Sequence, residues 1–247
     1  MWLPRWVGEG FASLYASFGR DIFFLEDVCE KLALNSSRAH VLLTKLRKSG
    51  ALIDFQRKRP RLYRLLDPRS LMLLASGKAS RPPNIQGQYV QLVYDVLRVL
   101  SKSWSPSSVA VYGSVARLTA TSLSDVDLLV VSDRFSGSLS SRIDGLLEVE
   151  RDSDIRSELL FLKSQGIHAK LSFYPLTRSE AERLPLLFLD MVYDAAVILD
   201  DGFLDSLFSR LRSKLEIMGA RRRTLRRGVW FWDLGPTAKE AEALWLS

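Results

Sequence analysis

Cysteine is the scarcest residue of this chain: Cys29 is the only one among 247. A lone cysteine excludes an intramolecular disulfide framework and a zinc site built on cysteines. In its apolar helical setting Cys29 reads as a small core residue. Also missing is any apolar run long enough to span a bilayer, and no basic-then-apolar leader precedes a small-residue cleavage site. The expectation is a soluble, cytoplasmic protein with no membrane partner. Acid is scarce at one end only. Residues 1–80 hold 14 Lys and Arg against 7 Asp and Glu, whereas residues 81–247 hold 21 of each. The whole formal excess of +7 therefore lies in the first third, which points to a separate module facing a polyanion. Hydrophobic residues make up 47% of the chain, enough for real cores, and the length suits two domains.

The basic third carries helical patterns. Trp6, Phe11, Leu14, Tyr15 and Phe18 predict a helix over 6–18, closed by Gly19. A second helix fits 25–32. Asn35, Ser36 and Ser37 then supply a turn and an N-cap for a third over about 37–48, with Ala39, Leu42, Leu43 and Leu46 inside and Arg38, Lys45, Arg47 and Lys48 outside. Two β-like runs, 51–55 and 62–66, are joined by Gln56-Arg-Lys-Arg-Pro-Arg61. Three helices and a basic hairpin look like a winged helix-turn-helix over residues 1–75. In that arrangement Arg38 and Lys45 on the third helix, with Arg57, Lys58, Arg59 and Arg61 on the wing, are candidates for DNA contact by phosphate neutralisation. Winged helices also bind proteins, so a protein partner or a homodimer stays open.

A Gly-, Ser- and Pro-rich stretch, 76–87, reads as a linker. A helix over 88–103 follows, with Val90, Val93, Tyr94, Leu97 and Leu100 on one face. The most informative segment comes next. Val109-Ala-Val-Tyr112 is followed by Gly113-Ser114-Val-Ala-Arg117, and ten residues separate the Gly-Ser pair from Asp125-Val-Asp127, which opens the run Leu-Leu-Val-Val131. Alternate side chains of a strand share a face, so Asp125 and Asp127 point one way and Val126 into the core. Two carboxylates on one face repel unless a cation sits between them. Oxygen ligands of this kind suit Mg²⁺, which fills its remaining positions with water and substrate phosphate. Gly113 lets backbone approach a ligand, and a helix after Ser114 offers amides to an anion.

The segment from Val109 to Asp133, about a tenth of the chain, resembles the signature of the nucleotidyltransferase superfamily related to DNA polymerase beta. It is most similar to the minimal nucleotidyltransferases of archaea and bacteria: Gly113-Ser114, Ala116-Arg117 and Ser124-Asp125-x-Asp127 match in order and spacing. The resemblance implies a mixed β-sheet flanked by helices over 88–218, an overall α+β chain, and a nucleoside triphosphate such as ATP as substrate. It implies that Asp125 and Asp127 are catalytic and hold two Mg²⁺ ions, while Gly113, Ser114, Arg117 and Ser124 bind the nucleotide. Enzymes of this superfamily usually carry a third carboxylate on a neighbouring strand. Here the expected strand, 167–174, offers Ile167, Ala169, Leu171 and Phe173 to the core and His168, Lys170, Ser172 and Tyr174 to the other face, with no acid. His168 is open to a base role and Lys170 to phosphate contact, beside ordinary polar-face roles.

Residues 139–165 read as one long amphipathic helix whose charges, among them Asp154 and Glu158, form a solvated face. Thr177 caps a short helix, residues 184–197 read as a buried helix and a strand, and residues 202–218 as a further helix. Asp190 and Asp194, four apart, have packing or capping roles or reach the site. The tail 219–247 contains Gly-Ala-Arg-Arg-Arg and Trp230-Phe-Trp-Asp-Leu234, similar to the C-terminal end of archaeal nucleotidyltransferase-domain proteins, with Gly235 where those carry Lys. Its tryptophans fit docking onto the domain, with its arginines near a phosphate site or stacked nucleic acid as the alternatives. Two functions follow: a Mg²⁺-dependent transferase of nucleoside monophosphates coupled to a DNA-binding winged helix, or a non-catalytic DNA-binding regulator or antitoxin-like protein that uses the fold as nucleotide sensor or scaffold.

Overall fold

The computed structural model describes residues 3–80, 85–224 and 230–233. The first module contains α1 (Arg5–Phe18), β1 (Ile22–Phe23), α2 (Leu25–Lys31), α3 (Ser36–Ser49), β2 (Leu52–Gln56) and β3 (Leu62–Leu65). Asn35 caps α3 by accepting from the Arg38 amide at 2.9 Å, and Gly50 ends it in the left-handed region. The two strands of the hairpin and β1 form an antiparallel sheet in the order β1-β3-β2, so the module is a winged helix-turn-helix. The inner stripe of α3 is buried with Val7, Leu14, Phe23 and Val28. Trp6, expected inside, is 45% exposed, because the buried stripe of α1 runs through Val7, Phe11 and Leu14.

A helix not anticipated from the sequence, α4 (Pro68–Ala75), follows the wing; Asp67 caps it and Pro68 opens it. A 3₁₀ turn, Gly87–Tyr89, leads into α5 (Val90–Ser103). All five apolar residues expected on one face of α5 are buried. Next come β4 (Ser108–Tyr112), α6 (Gly113–Ala116), β5 (Val126–Val131), α7 (Leu139–Leu147), α8 (Ser153–Ser164), β6 (Leu171–Leu176), α9 (Arg178–Glu182), α10 (Phe188–Asp194), β7 (Ala196–Asp200) and α11 (Phe203–Ile217). The strands form a mixed sheet ordered β6-β5-β4-β7, with β5 and β6 parallel and the other pairs antiparallel. Val126, Leu128 and Val130 face α5 and α8, while Leu129 and Val131 face α10 and α11. The expected α+β architecture is present. A last hairpin, β8 (Arg221–Thr224) with β9 (Trp230–Asp233), pairs Arg222 with Trp232. None of the helices among the described residues is long and apolar enough to cross a membrane.

Two expectations are corrected here. The segment 139–165 is not one helix: α7 passes into a 3₁₀ turn, Glu148–Arg151, and Asp152 starts α8 afresh by accepting from the Asp154 and Ile155 amides. A side-chain cap of this kind satisfies amides that a continuous helix would bond internally. Nor are all its charges solvated. Glu158 is 1% exposed and takes a bidentate pair from the equally buried Arg64 of β3, at 2.5 and 2.7 Å. Asp154 pairs with Arg69 at 2.9 Å and Arg98 at 2.7 Å. Arg20 bonds buried Asp95 and Glu158, and Gln91 links Asp95 to the Asp67 amide. The amphipathic stripe therefore faces arginines of the winged module instead of water. Apolar packing crosses the same boundary: Ile53, Phe55 and Leu66 share a core with α5 and α8, and the Phe55 and Phe161 rings meet edge-on at 5.8 Å.

Removing one member of a buried ion pair leaves the other uncompensated. Glu158→Ala is expected to lower unfolding free energy by about 3–5 kcal/mol in urea denaturation. Glu148→Ala, which cuts an exposed pair with Arg151, is expected to change it by less than about 1 kcal/mol.

Candidate active site

Three elements meet at one end of the sheet. Strand β4 ends at Tyr112, the chain turns at Gly113 into α6, and β5 begins after Asp125. The antiparallel register sets Tyr112 opposite Asp127, and the parallel register sets Ser172 of β6 on its other side. Asp127 lies on the sheet face that α10 and α11 cover further along, while Val126 is fully buried on the opposite face, as the alternation requires. Asp125 stays exposed at the mouth of the strand.

Gly113 has a φ of +69°, and a Cβ built on it would overlap the Asp127 carboxylate. Both facts demand glycine. The carboxylate thus sits directly against the turn that opens α6. Burial pushes the Asp127 carboxyl above its ordinary value of 3.8. A hydrogen bond from Ser172 opposes that rise, the charge of Asp125 adds to it, and the Arg117 guanidinium lowers it. Tyr112 is also pushed up, first by burial and then by the charge of Asp127.

Ser124 is engaged within its own loop: its hydroxyl accepts from the Thr121 amide at 2.9 Å and lies 3.2 Å from the Thr121 hydroxyl. It shapes the turn that presents Asp125. Gly113, Ser114, Arg117, Asp125 and Asp127 come together at this end of the sheet. The predicted cations of the winged module lie on α3 and the wing. Arg38 and Lys45 lie exposed on α3, and Arg57, Lys58, Arg59 and Arg61 are exposed at the wing tip. His168 and Lys170 precede β6, which begins at Leu171 and not at 167; the Lys170 carbonyl instead accepts from the Val126 amide at 2.8 Å.

Ser172 occupies the strand position beside Asp127 where a third acid was looked for, and the described residues contain no group of three or more His, Cys, Asp or Glu able to hold a metal ion. Asp190 is nearer the site than its place in α10 suggested. Burial raises its carboxyl, while Arg117 and Arg222 lower it and Asp194 raises it. The only sequence signal was the four-residue spacing of the two acids on one helix. The tail hairpin docks on the same helix. Arg222 pairs with Asp194 at 2.8 Å, and Trp232 stacks on Tyr193 at 5.8 Å. Docking is therefore correct for Trp232. The expectations for the Trp230 side chain, Arg226, Arg227 and Gly235 lie outside the described residues.

Comparison with known families agrees with this geometry. Residues 93–198, which span α5 to β7, match the family model of the nucleotidyltransferase domain. The match covers 106 of the 247 residues and lies after the winged helix-turn-helix. No curated protein matches the chain.

A carboxyl raised by burial makes the cation-free site a local cost. The native state binds the Asp127 proton more readily than the unfolded chain does. Stability is therefore lost as pH rises from about 4 through the folded value, and the full cost is present at neutral pH. Without divalent cations, Asp127→Asn should melt at higher temperature than the parent at pH 7, with the difference closing below about pH 4. A variant less stable than the parent at pH 7 would contradict this account of the site.

Proposed function

We propose that the protein is a Mg²⁺-dependent nucleotidyltransferase of the minimal kind its signature resembles. It moves a nucleoside monophosphate from a triphosphate to an acceptor hydroxyl, and its winged module contacts DNA. The observation that carries this reading is the Asp127 carboxylate held against the Gly113 turn, with Asp125 beside it and Arg117 in its field.

The donors suit Mg²⁺: two neighbouring carboxylates, one of them partly desolvated, for an ion that fills its other positions with water and phosphate oxygen. Asp125 and Asp127 hold the ion, which when bound stabilises developing charge on the phosphate oxygens. Gly113 admits phosphate close to the backbone because it has no Cβ. Ser114 supplies hydroxyl and amide donors, and Arg117 neutralises triphosphate charge. Ser124 holds the 121–124 turn so that Asp125 stays at the strand mouth. Ser172 keeps Asp127 oriented by donating to it, the place where the superfamily usually has an acid.

That serine favours a second reading, in which the site binds nucleotide without turning it over and the winged module acts as regulator. Incubation with each α-labelled nucleoside triphosphate and Mg²⁺ separates the two. Transfer by the parent and none by the Asp125→Asn/Asp127→Asn double variant is expected, and Asp127→Asn alone should lose Mg²⁺-dependent nucleotide binding. Binding without transfer in the parent assigns the sensor. Unchanged binding in Asp127→Asn removes the metal assignment altogether.

A further inference from the structure

The wing tip does not project freely away from the rest of the chain. Arg57, Lys58 and Arg59 form one wall of a cleft of 620 Å³ whose other wall is Gln86, Gln88 and Leu118. Among the described residues no salt bridge engages these three cations. The acid in the lining, Asp54, is already held by Arg47 at 2.7 Å. The cleft therefore presents uncompensated positive charge.

The far wall is tied to the candidate site. The Gln86 amide donates to the Val115 carbonyl of α6 at 3.1 Å, and its side chain donates to the Ala120 carbonyl at 3.1 Å. Leu118, 41% exposed, directly follows Arg117. At Gly87 the two modules approach so closely that a Cβ would overlap the Asp54 carbonyl, which fixes the cleft's width. A volume of this size falls in the usual range for small ligands, about 300–1,000 Å³, and accommodates a nucleotide or two of one strand.

We propose that this cleft is the acceptor track: a single-stranded DNA end lays its phosphates on Arg57, Lys58 and Arg59 and passes Gln86 and Leu118 to reach Asp125 and Asp127. This rests on the transferase reading above. In the step it serves, the strand's terminal hydroxyl oxygen bonds to the α-phosphorus of the nucleotide. The bond from that phosphorus to the bridging oxygen breaks, pyrophosphate leaves with the electron pair, and the hydroxyl proton passes to water.

The test uses the full chain, a fluorescent single strand of about 12 nucleotides with a free terminal hydroxyl, and the duplex of the same sequence. Anisotropy is read across a salt series. The single strand should bind in preference. The triple variant Arg57→Gln/Lys58→Gln/Arg59→Gln should lose at least about tenfold in affinity, with the log–log salt slope reduced by about 2, near 0.7 for each phosphate no longer neutralised. Its Mg²⁺-dependent binding of free triphosphate, followed by calorimetry, should match the parent's, which also shows that the variant is folded. A photocrosslinker on Leu118→Cys should capture the strand's terminal nucleotides, and one on Lys48→Cys in α3 should not. Preference for duplex, unchanged affinity and slope in the triple variant, or capture from position 48 alone would overturn the track while leaving the transferase reading intact. Failure of the parent to bind Mg²⁺ and triphosphate would overturn the transferase reading itself, and the acceptor role with it.

Discussion

A dry guanidinium sets the geometry of the molecule. Arg64 is 1% exposed, and a charge so placed is tolerated only with its partners fixed around it. Those partners come from distant parts of the chain: Glu158 of α8 grips both terminal nitrogens, the Arg20 carbonyl accepts from Nε, and the Phe161 ring lies 4.0 Å from the guanidinium carbon. Arg20 and Arg98 then carry the network to Asp95 and Asp154. The winged module is thus held on α5 and α8 by directional bonds, which resist sliding in a way that apolar contact alone does not. The position of the wing relative to the carboxylates depends on this arrangement.

The sheet imposes the second constraint. Both faces of β5 are buried along most of its length, one under α5 and α8, the other under α10 and α11. A polar side chain can be placed on such a strand only near its end, where helix cover runs out. Asp127 is the second residue of β5 and meets that condition; two residues later, Leu129 is fully buried on the same face. The site is therefore at the one end of β5 where a carboxylate can be partly desolvated and still reach a ligand. Gly113 completes it by removing the Cβ that would otherwise occupy the same space.

What the sequence revealed and what it hid follow from the range of the interactions. The apolar run that Asp127 opens and the Gly-Ser-to-Asp spacing are local, so the strand and the turn were legible. The apolar stripes of α3 and α5 were legible for the same reason. Asp154 and Glu158 sit on a helix pattern that looks identical whether the polar face meets water or arginine. Their partners lie at Arg69 and Arg64, far away in sequence, and no periodicity reports them. The break at Asp152 lies in a stretch, 150–154, without an apolar side chain, and the capping hydrogen bonds of Asp152 mark where the second helix starts. Asp190 was ambiguous because its neighbours Arg117 and Arg222 come from two other elements.

Charge around the site is arranged differently from charge at the module boundary. From the strand mouth to the tail the signs alternate: Asp125 and Asp127, then Arg117, then Asp190 and Asp194, then Arg222. Arg117 acts on Asp127 and on Asp190 through space, and no salt bridge fixes it to either among the described residues. Partial exposure screens such interactions, so each is weak and readily exchanged. At the Arg64–Glu158 pair, exclusion of water makes the opposite true. The rigid electrostatics lie where one module must be held against another. The yielding electrostatics lie around Arg117, between the Asp125–Asp127 pair and Asp190.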